Sequence, residues 1–600
     1  MYRFTIHNRV QAIMNYSLNT SSSGQKKASN LRILQKLLLL IREERKNLAL
    51  ALLFILINSG LNLLNPYIMG RTIDRYIVQR NYTGVLVNAS ILLGMALIAF
   101  GASYLQTKIM GGVGQRMLFK LRNTIFLKLQ ELPVAFFNQN KAGDLISRVN
   151  NDTDKINQFF SQSLMQFIGT IVTMAGAGIF LLVINVRLGL AALLPGLFIF
   201  LFTRLSSQWV KRRNAASLKT TGSLSAEIQE SLNNFKVIIA FNRRDYFKQR
   251  FDEVNQENFI ASKAAGIANT TFLPVYSFFA STAQLIVLTV GIYLISKNEF
   301  SIGLLVSYLA YATNFYNPLR QLAALWTNFQ VAMAGTDRIS HILNMESDLP
   351  VLATGTPPVK TSPLLEFRQV HFGYTNDKEI LHNISFSLEK GKTYAFVGPT
   401  GGGKTTTASL IARLYDPVSG LVLLHGKDIR CYEPAERTQR IGFILQEPFL
   451  FTGSLRDNLL SGNEPYKNFT NDQLEQVIKD TGLENLLSYF EKGLDTTISS
   501  GGDSISLGQK QLIAFMRAML RKPEILILDE ATANIDTLTE QVLQDILDKL
   551  PETTTKVIFA HRLNTIQNAD EIFFVNAGEV IRAGSFDHAV DMLLQGKRAS

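Results

Sequence analysis

Along roughly the first 330 residues, long apolar runs alternate with charged stretches; after that the apolar runs become short and closely spaced. Six runs are long and apolar enough to cross a bilayer: about Leu48–Ile68, Val85–Leu105, Leu164–Ile184, Leu188–Thr203, Phe272–Ile295 and Ile302–Asn317. None contains Asp, Glu, Lys, Arg or His. Their connections alternate in length. "NVR" and "SKNEFS" are very short, whereas Gln106–Phe160 and Arg204–Thr271 are long, charged and patterned as helix. The long ones carry basic clusters, "KLRNTIFLKLQ" and "WVKRRNAASLK", which the positive-inside rule places in the cytoplasm with the N-terminus. The outer loop "GRTIDRYIVQRNYTG", with Arg71, Arg75 and Arg80 against Asp74, runs weakly against that orientation.

The pattern predicts four segments. Residues 1–30 are polar, lack the apolar core of a signal peptide and read as a disordered tail. Residues 31–342 form a six-helix all-α transmembrane domain with long cytoplasmic helical extensions. Residues 343–363, rich in Pro, Thr and Ser, read as a linker. In residues 364–600, short β-rich runs alternate with helices, the pattern of an α/β domain.

Composition refines this picture without changing it. A formal charge of +12 could suggest nucleic acid, but basic cytoplasmic loops beside membrane spans account for it, so no nucleic-acid partner is expected. The single cysteine excludes an internal disulfide and a cysteine-built metal site.

"YAFVGPTGGGKTTTASLIARLY" reads as strand, glycine loop and helix. Gly398, Pro399, Thr400, Gly401, Gly402, Gly403, Lys404 and Thr405 complete a GxxxxGK[ST] spacing, with Thr406 following. Glycines let backbone N–H groups wrap phosphates at a helix N-terminus. Lys404 can reach the outer phosphates, and the Thr405 hydroxyl can ligate Mg²⁺. Downstream, "ILILDE" is a buried strand ending in Asp529, placed to hold magnesium, and Glu530, placed as general base on the attacking water. These residues predict a phosphate-bearing ligand held with Mg²⁺.

With these residues in place, the C-terminal half resembles the ATP-binding domain of ABC transporters over almost its whole length. The resemblance implies that the ligand is ATP, that Tyr374 stacks on adenine and that Gln446 senses magnesium and the membrane domain. It also implies that His561 contacts the γ-phosphate and that "ANID", ending at Asp536, links two ATP sites. The N-terminal half is similar to the six-span exporter form of that family, notably over Leu121–Ile156 and Glu230–Phe247. In that family each cytoplasmic excursion ends in a coupling helix, and a chain with one domain of each kind is a half-transporter that needs a second subunit. A multi-pass protein of a bacterial inner (plasma) membrane is implied, with the ATPase domain in the cytoplasm.

The family's signature loop reads L-S-G-G-Q and completes the partner's ATP site. This chain reads Ile505-Ser506-Leu507-Gly508-Gln509, and Ser500 replaces a usual glutamate upstream. Leu507 restricts the backbone and adds a branched side chain where glycine permits close approach. The changes fall on the signature side only, so a heterodimer is favoured over a homodimer. The transported cargo implied is a hydrophobic or amphipathic compound, a drug or lipid, with a homodimeric flippase or an ATP-gated regulatory protein as alternatives. Tyr276, Tyr308, Tyr311 and Phe315 are candidate cavity residues, although for any one polar or aromatic group in a helix bundle packing is favoured over cavity lining.

Overall fold

A computed structural model describes residues 16–18, 42–347, 349–352, 363–375, 378–499, 505–529, 537–548, 550–560, 567–584, 588 and 590. The chain divides into two compact units. One comprises residues 23–130 and 143–344; the other comprises residues 1–22, 131–142 and 345–600.

The first unit is helical: α1 (Arg45–Thr72), α2 (Tyr82–Glu131), α4 (Leu164–Ile184), α5 (Val186–Asn233), α6 (Arg244–Thr270), α7 (Phe272–Ser296) and α8 (Ile302–Leu343), with α3 (Val134–Gln139) belonging to the other unit. At a rise of about 1.5 Å per residue, the 50-residue α2 is about 75 Å long, far more than a bilayer core of about 30 Å. The long charged excursions of the sequence are thus mostly continuations of the spans themselves. Among the described residues, five helical stretches are long and apolar enough to cross a membrane, where six are expected. The sixth expected span lies in α8, where Tyr308, Tyr311, Asn314, Tyr316 and Asn317 dilute the apolar run.

Those tyrosines also correct the expectation about the cavity. Tyr308 and Tyr311 are fully buried. Tyr311 donates to the Leu63 carbonyl (2.7 Å), and Tyr308 to the carbonyls of Leu181 and Asn185. A hydroxyl in an apolar environment is costly unless paired, and these are consumed in joining α8 to α1 and α4. They serve packing. At the start of α8, Asp74 accepts from the Gly303 N–H (2.7 Å) and the Ser301 hydroxyl (2.5 Å). A carboxylate there suits the positive end of the helix dipole. Near the other end, Arg338 of α8 forks onto buried Asp152 (2.5 and 2.7 Å).

The second unit is the α/β domain. An antiparallel sheet runs in the order β2 (Leu381–Leu388), β1 (Leu365–Phe372), β4 (Ser419–Leu424), β5 (Lys427–Asp428). A six-stranded sheet runs β12 (Glu579–Gly584), β11 (Glu571–Asn576), β3 (Thr393–Val397), β10 (Thr555–Phe559), β9 (Ile525–Asp529), β6 (Ile441–Ile444). Its strands from β11 to β6 pair in parallel and are almost wholly buried, as near-continuous Val, Ile, Leu and Phe runs require. A short pair, β7 (Gly453–Ser454) with β8 (Thr497–Ile498), completes the strands described.

Two pieces of distant sequence join this unit. One is residues 131–142 with α3. The other is Tyr16, which lies in the stretch expected to be a disordered tail but is buried. Tyr16 packs edge-on against Phe136, donates its backbone N–H to Gln139 Oε1 (2.7 Å) and its hydroxyl to the Glu346 carbonyl (3.2 Å). Asn140 fixes both neighbours, accepting from the Leu18 N–H (2.9 Å) and donating to the Tyr16 carbonyl (3.0 Å).

Candidate nucleotide site

The parallel register puts the expected chemistry on one edge of the sheet. β10 lies between β3 and β9, with Phe559 opposite both Phe396 and Asp529. β6 flanks β9, with Ile444 opposite Leu528. The loop after β3, the carboxylate ending β9 and Gln446 beyond β6 therefore share the carboxyl edge, where open parallel sheets place their ligand sites.

The loop needs its glycines. Gly398 and Gly403 have φ of 151° and 113°, values open to glycine and poorly tolerated by other residues. A Cβ on Gly398 would lie 1.9 Å from the Val575 carbonyl oxygen, and one on Gly403 would lie 2.6 Å from the Leu381 side chain. Pro399, Thr400 and Gly401 are exposed, while Gly402 and Lys404 are buried. The Lys404 ammonium donates to the carbonyls of Gly398 (2.8 Å) and Pro399 (3.1 Å), which holds its charge beneath the loop. The helix that follows, α9 (Lys404–Ile411), opens at this point.

The Thr405 hydroxyl donates to Asp529 Oδ1 (3.3 Å) across 124 residues of sequence. A hydroxyl and a carboxylate, both hard oxygen ligands, are thus adjacent beside a phosphate-binding loop, and this donor set fits Mg²⁺. Glu530 and His561 lie outside the described residues, as do Ser500 and Asp536. Of their described neighbours, Asp529 ends β9 and Ala560 directly follows the adjacent strand β10.

Tyr374 is held on three sides. Its ring meets Phe372 (5.1 Å between centroids, 87°) and Tyr415 (5.1 Å, 78°), and its hydroxyl pairs with that of Thr406 (3.1 Å). It remains 37% exposed, which leaves surface for a planar ligand.

The signature loop opens α10 (Leu507–Met519). Ser506 and Gln509 form a reciprocal capping box: the Gln509 N–H donates to the Ser506 hydroxyl (3.1 Å), and the Ser506 N–H donates to Gln509 Oε1 (3.0 Å). Leu507 is the first helical residue and does not have a positive φ. Its backbone is therefore under no strain, and the expectation that leucine restricts this position through its backbone is corrected. What remains is the branched side chain, partly exposed at the helix N-terminus, next to buried Gly508. The same helix is tied to the Gln446 loop. Gln511 Nε2 donates to the Gln446 carbonyl (2.9 Å), and Arg517 Nε donates to the Asn458 carbonyl (2.8 Å). Burial pushes the Arg517 guanidinium below its ordinary pKa.

Of the remaining candidate cavity residues, the Tyr276 hydroxyl pairs with that of Thr203 (3.0 Å), and Phe315 is partly buried near Gly178 and Gly196. Two residues near the nucleotide site were not singled out from sequence, Tyr415 and Asn138. The hydrogen bond between them spans 277 residues, so no local spacing could have announced it.

Residues 48–319 match the family described as ABC transporter transmembrane region, and residues 381–533 match ABC transporter. The chain is 34% identical over 557 residues to an uncharacterized ABC transporter ATP-binding protein, YfiC, of Bacillus subtilis (strain 168), covering 91% of this chain and 90% of that one. It is 29% identical to a fatty acid ABC transporter ATP-binding/permease protein of Mycobacterium tuberculosis, over 88% and 81% of the two chains. It is 28% identical to an ATP-dependent lipid A-core flippase of Syntrophus aciditrophicus, over 92% of each.

Proposed function

We propose that this chain, which belongs to the ABC transporter family in its exporter form and couples ATP hydrolysis to transport, exports hydrophobic or amphipathic compounds as one half of a two-subunit exporter. The observation that carries the export reading is a membrane unit whose apolar runs hold neutral polar groups and no charge. Asn62 and Asn65 are exposed on α1 of this chain, and the Asn62 amide donates to Asn58 Oδ1 (3.2 Å). Such a face suits an amphipathic cargo with neutral hydrogen-bonding groups, and it offers no ionisable relay for proton coupling. The fatty acid and lipid A-core relatives support lipid-like cargo by their names.

In the ATPase domain, the loop N–H groups and Lys404 hold the phosphates. Thr405 and Asp529 would hold Mg²⁺, which would neutralise phosphate charge. Glu530 takes the proton of the attacking water, and His561 contacts the γ-phosphate. Tyr374 stacks on adenine. Closure of two ATP domains then opens the cavity outward, and hydrolysis resets it. We place the N-terminus and ATPase domain in the cytoplasm, at a bacterial plasma membrane.

Leu507 favours a heterodimer. The glycine loop, Asp529, Glu530 and His561 are all retained, so the altered loop belongs to the ATP bound by the other subunit. The unstrained backbone at Leu507 is what favours the second reading, a homodimer that tolerates the change.

Transport is tested with inside-out vesicles carrying the full chain with the subunit that co-purifies with it, given external doxorubicin and, separately, a fluorescent phospholipid in the outer leaflet. ATP-dependent accumulation or flipping of either probe, abolished by Glu530→Gln, is expected. ATP-gated ion conductance without movement of either probe would contradict export.

A further inference from the structure

Tyr415 lies four residues past α9, outside every motif that touches ATP. Its ring packs edge-on against Tyr374 (5.1 Å, 78°) and against Phe372 (5.6 Å, 61°), closing a three-ring cluster around the aromatic residue expected to carry adenine. Edge-to-face pairs fix ring orientation, because a positive ring edge meets a negative face. With the Tyr374 hydroxyl paired to Thr406 of α9, the adenine platform is held at its rim by Tyr415 and at its tip by the phosphate-loop helix.

The other end of Tyr415 reaches elsewhere. Its hydroxyl accepts from the Asn138 side-chain amide (2.7 Å). Asn138 lies in α3, the short helix joined on both sides by chain to the membrane unit. This helix is itself anchored, with Phe136 fully buried and Gln139 and Asn140 engaged by Tyr16 and Leu18. One side chain therefore touches both the adenine platform and the helix that leads into the membrane domain.

We infer that Tyr415 is a positioning residue for ATP: its ring sets the adenine-stacking face of Tyr374, and its hydroxyl passes the position of that face to α3 through Asn138. The inference rests on the ATP-transport reading above and adds a path by which occupancy of the adenine subsite is felt by this helix. The two functions of Tyr415 reside in different atoms, so they separate by mutation. The ring is kept in phenylalanine and lost in alanine; the hydroxyl is lost in both.

The test uses the full chain with whatever subunit co-purifies, in lipid nanodiscs, in a Cys431→Ser background with a bimane label on Lys141→Cys. Lys141 is exposed just beyond α3, and Cys431 is the chain's only native cysteine. Steady-state ATPase and the ATP-induced change in bimane fluorescence are both read. Tyr415→Ala is expected to raise the KM for ATP about three- to tenfold with little change in kcat, the size of an aromatic-pair loss. Tyr415→Phe restores KM to within about twofold of the parent but loses most of the fluorescence response, and Asn138→Ala behaves as Tyr415→Phe. A Tyr415→Phe protein with an undiminished response overturns the relay, and a Tyr415→Ala protein with unchanged KM overturns the positioning role. A parent that does not hydrolyse ATP would instead overturn the transport reading itself.

Discussion

The two glycine-bearing loops that would meet at each ATP present opposite tolerances. In the phosphate loop, Gly398 and Gly403 occupy φ of 151° and 113°, and added side-chain atoms would collide with Val575 and Leu381. In the signature loop, the residue that replaces the family's glycine begins an ordinary right-handed helix. A missing glycine therefore has two separate meanings. Where φ is positive, any substitution strains the backbone that carries the site. Where φ is helical, substitution leaves the backbone intact and changes only what can approach it. Leu507 is the second case: the helix begins normally, and the leucine changes only the side chain presented at its N-terminus.

The largest effect that this contrast predicts is at Gly403. Gly403→Ala meets both an unfavourable φ and the Leu381 contact, a cost of about 3 kcal/mol, and ATPase should fall about 100-fold or more. Nucleotide-binding titration on purified protein checks it. Retained affinity would break the comparison, since the phosphate loop would then be as forgiving as the signature. Next in size is Ser506→Ala, which removes the capping box at the start of α10 and should lower stability by about 1 kcal/mol in denaturant melts. The smallest is Leu507→Ala, expected to shift the same melts by less than about 0.5 kcal/mol, because no strain is relieved.

What could be read from sequence follows the range of the physics involved. The phosphate loop, the strand ending in Asp529 and the apolar spans are local patterns whose chemistry requires contiguous or evenly spaced residues. Thr405 and Asp529 were assigned to one metal from their residue types, and the fold brings them within 3.3 Å. Tertiary pairings were not legible. Tyr308 and Tyr311 share a helical face, as their spacing indicates, but only the packed structure shows their hydroxyls spent on carbonyls of α4 and α1. Asp74 looked like a counter-charge in a basic loop, yet it caps a helix that starts 228 residues later. Tyr16 lies in polar sequence with no periodicity, and its burial depends on the distant Phe136, Gln139 and Glu346. At Leu507 the residue type is plain in the sequence, but the helical backbone it occupies is legible only in the fold.

The central claim is that this chain carries an intact hydrolytic half and an altered signature that faces another subunit's ATP. The most direct measurement is ATPase of the full chain expressed alone and purified in nanodiscs, compared with its Leu507→Gly and Glu530→Gln variants. The chain alone should hydrolyse slowly, and Leu507→Gly should raise the rate about tenfold, equivalent to about 1.4 kcal/mol of barrier. A homodimer that hydrolyses vigorously as it stands, loses that activity in Glu530→Gln and gains nothing in Leu507→Gly would contradict it.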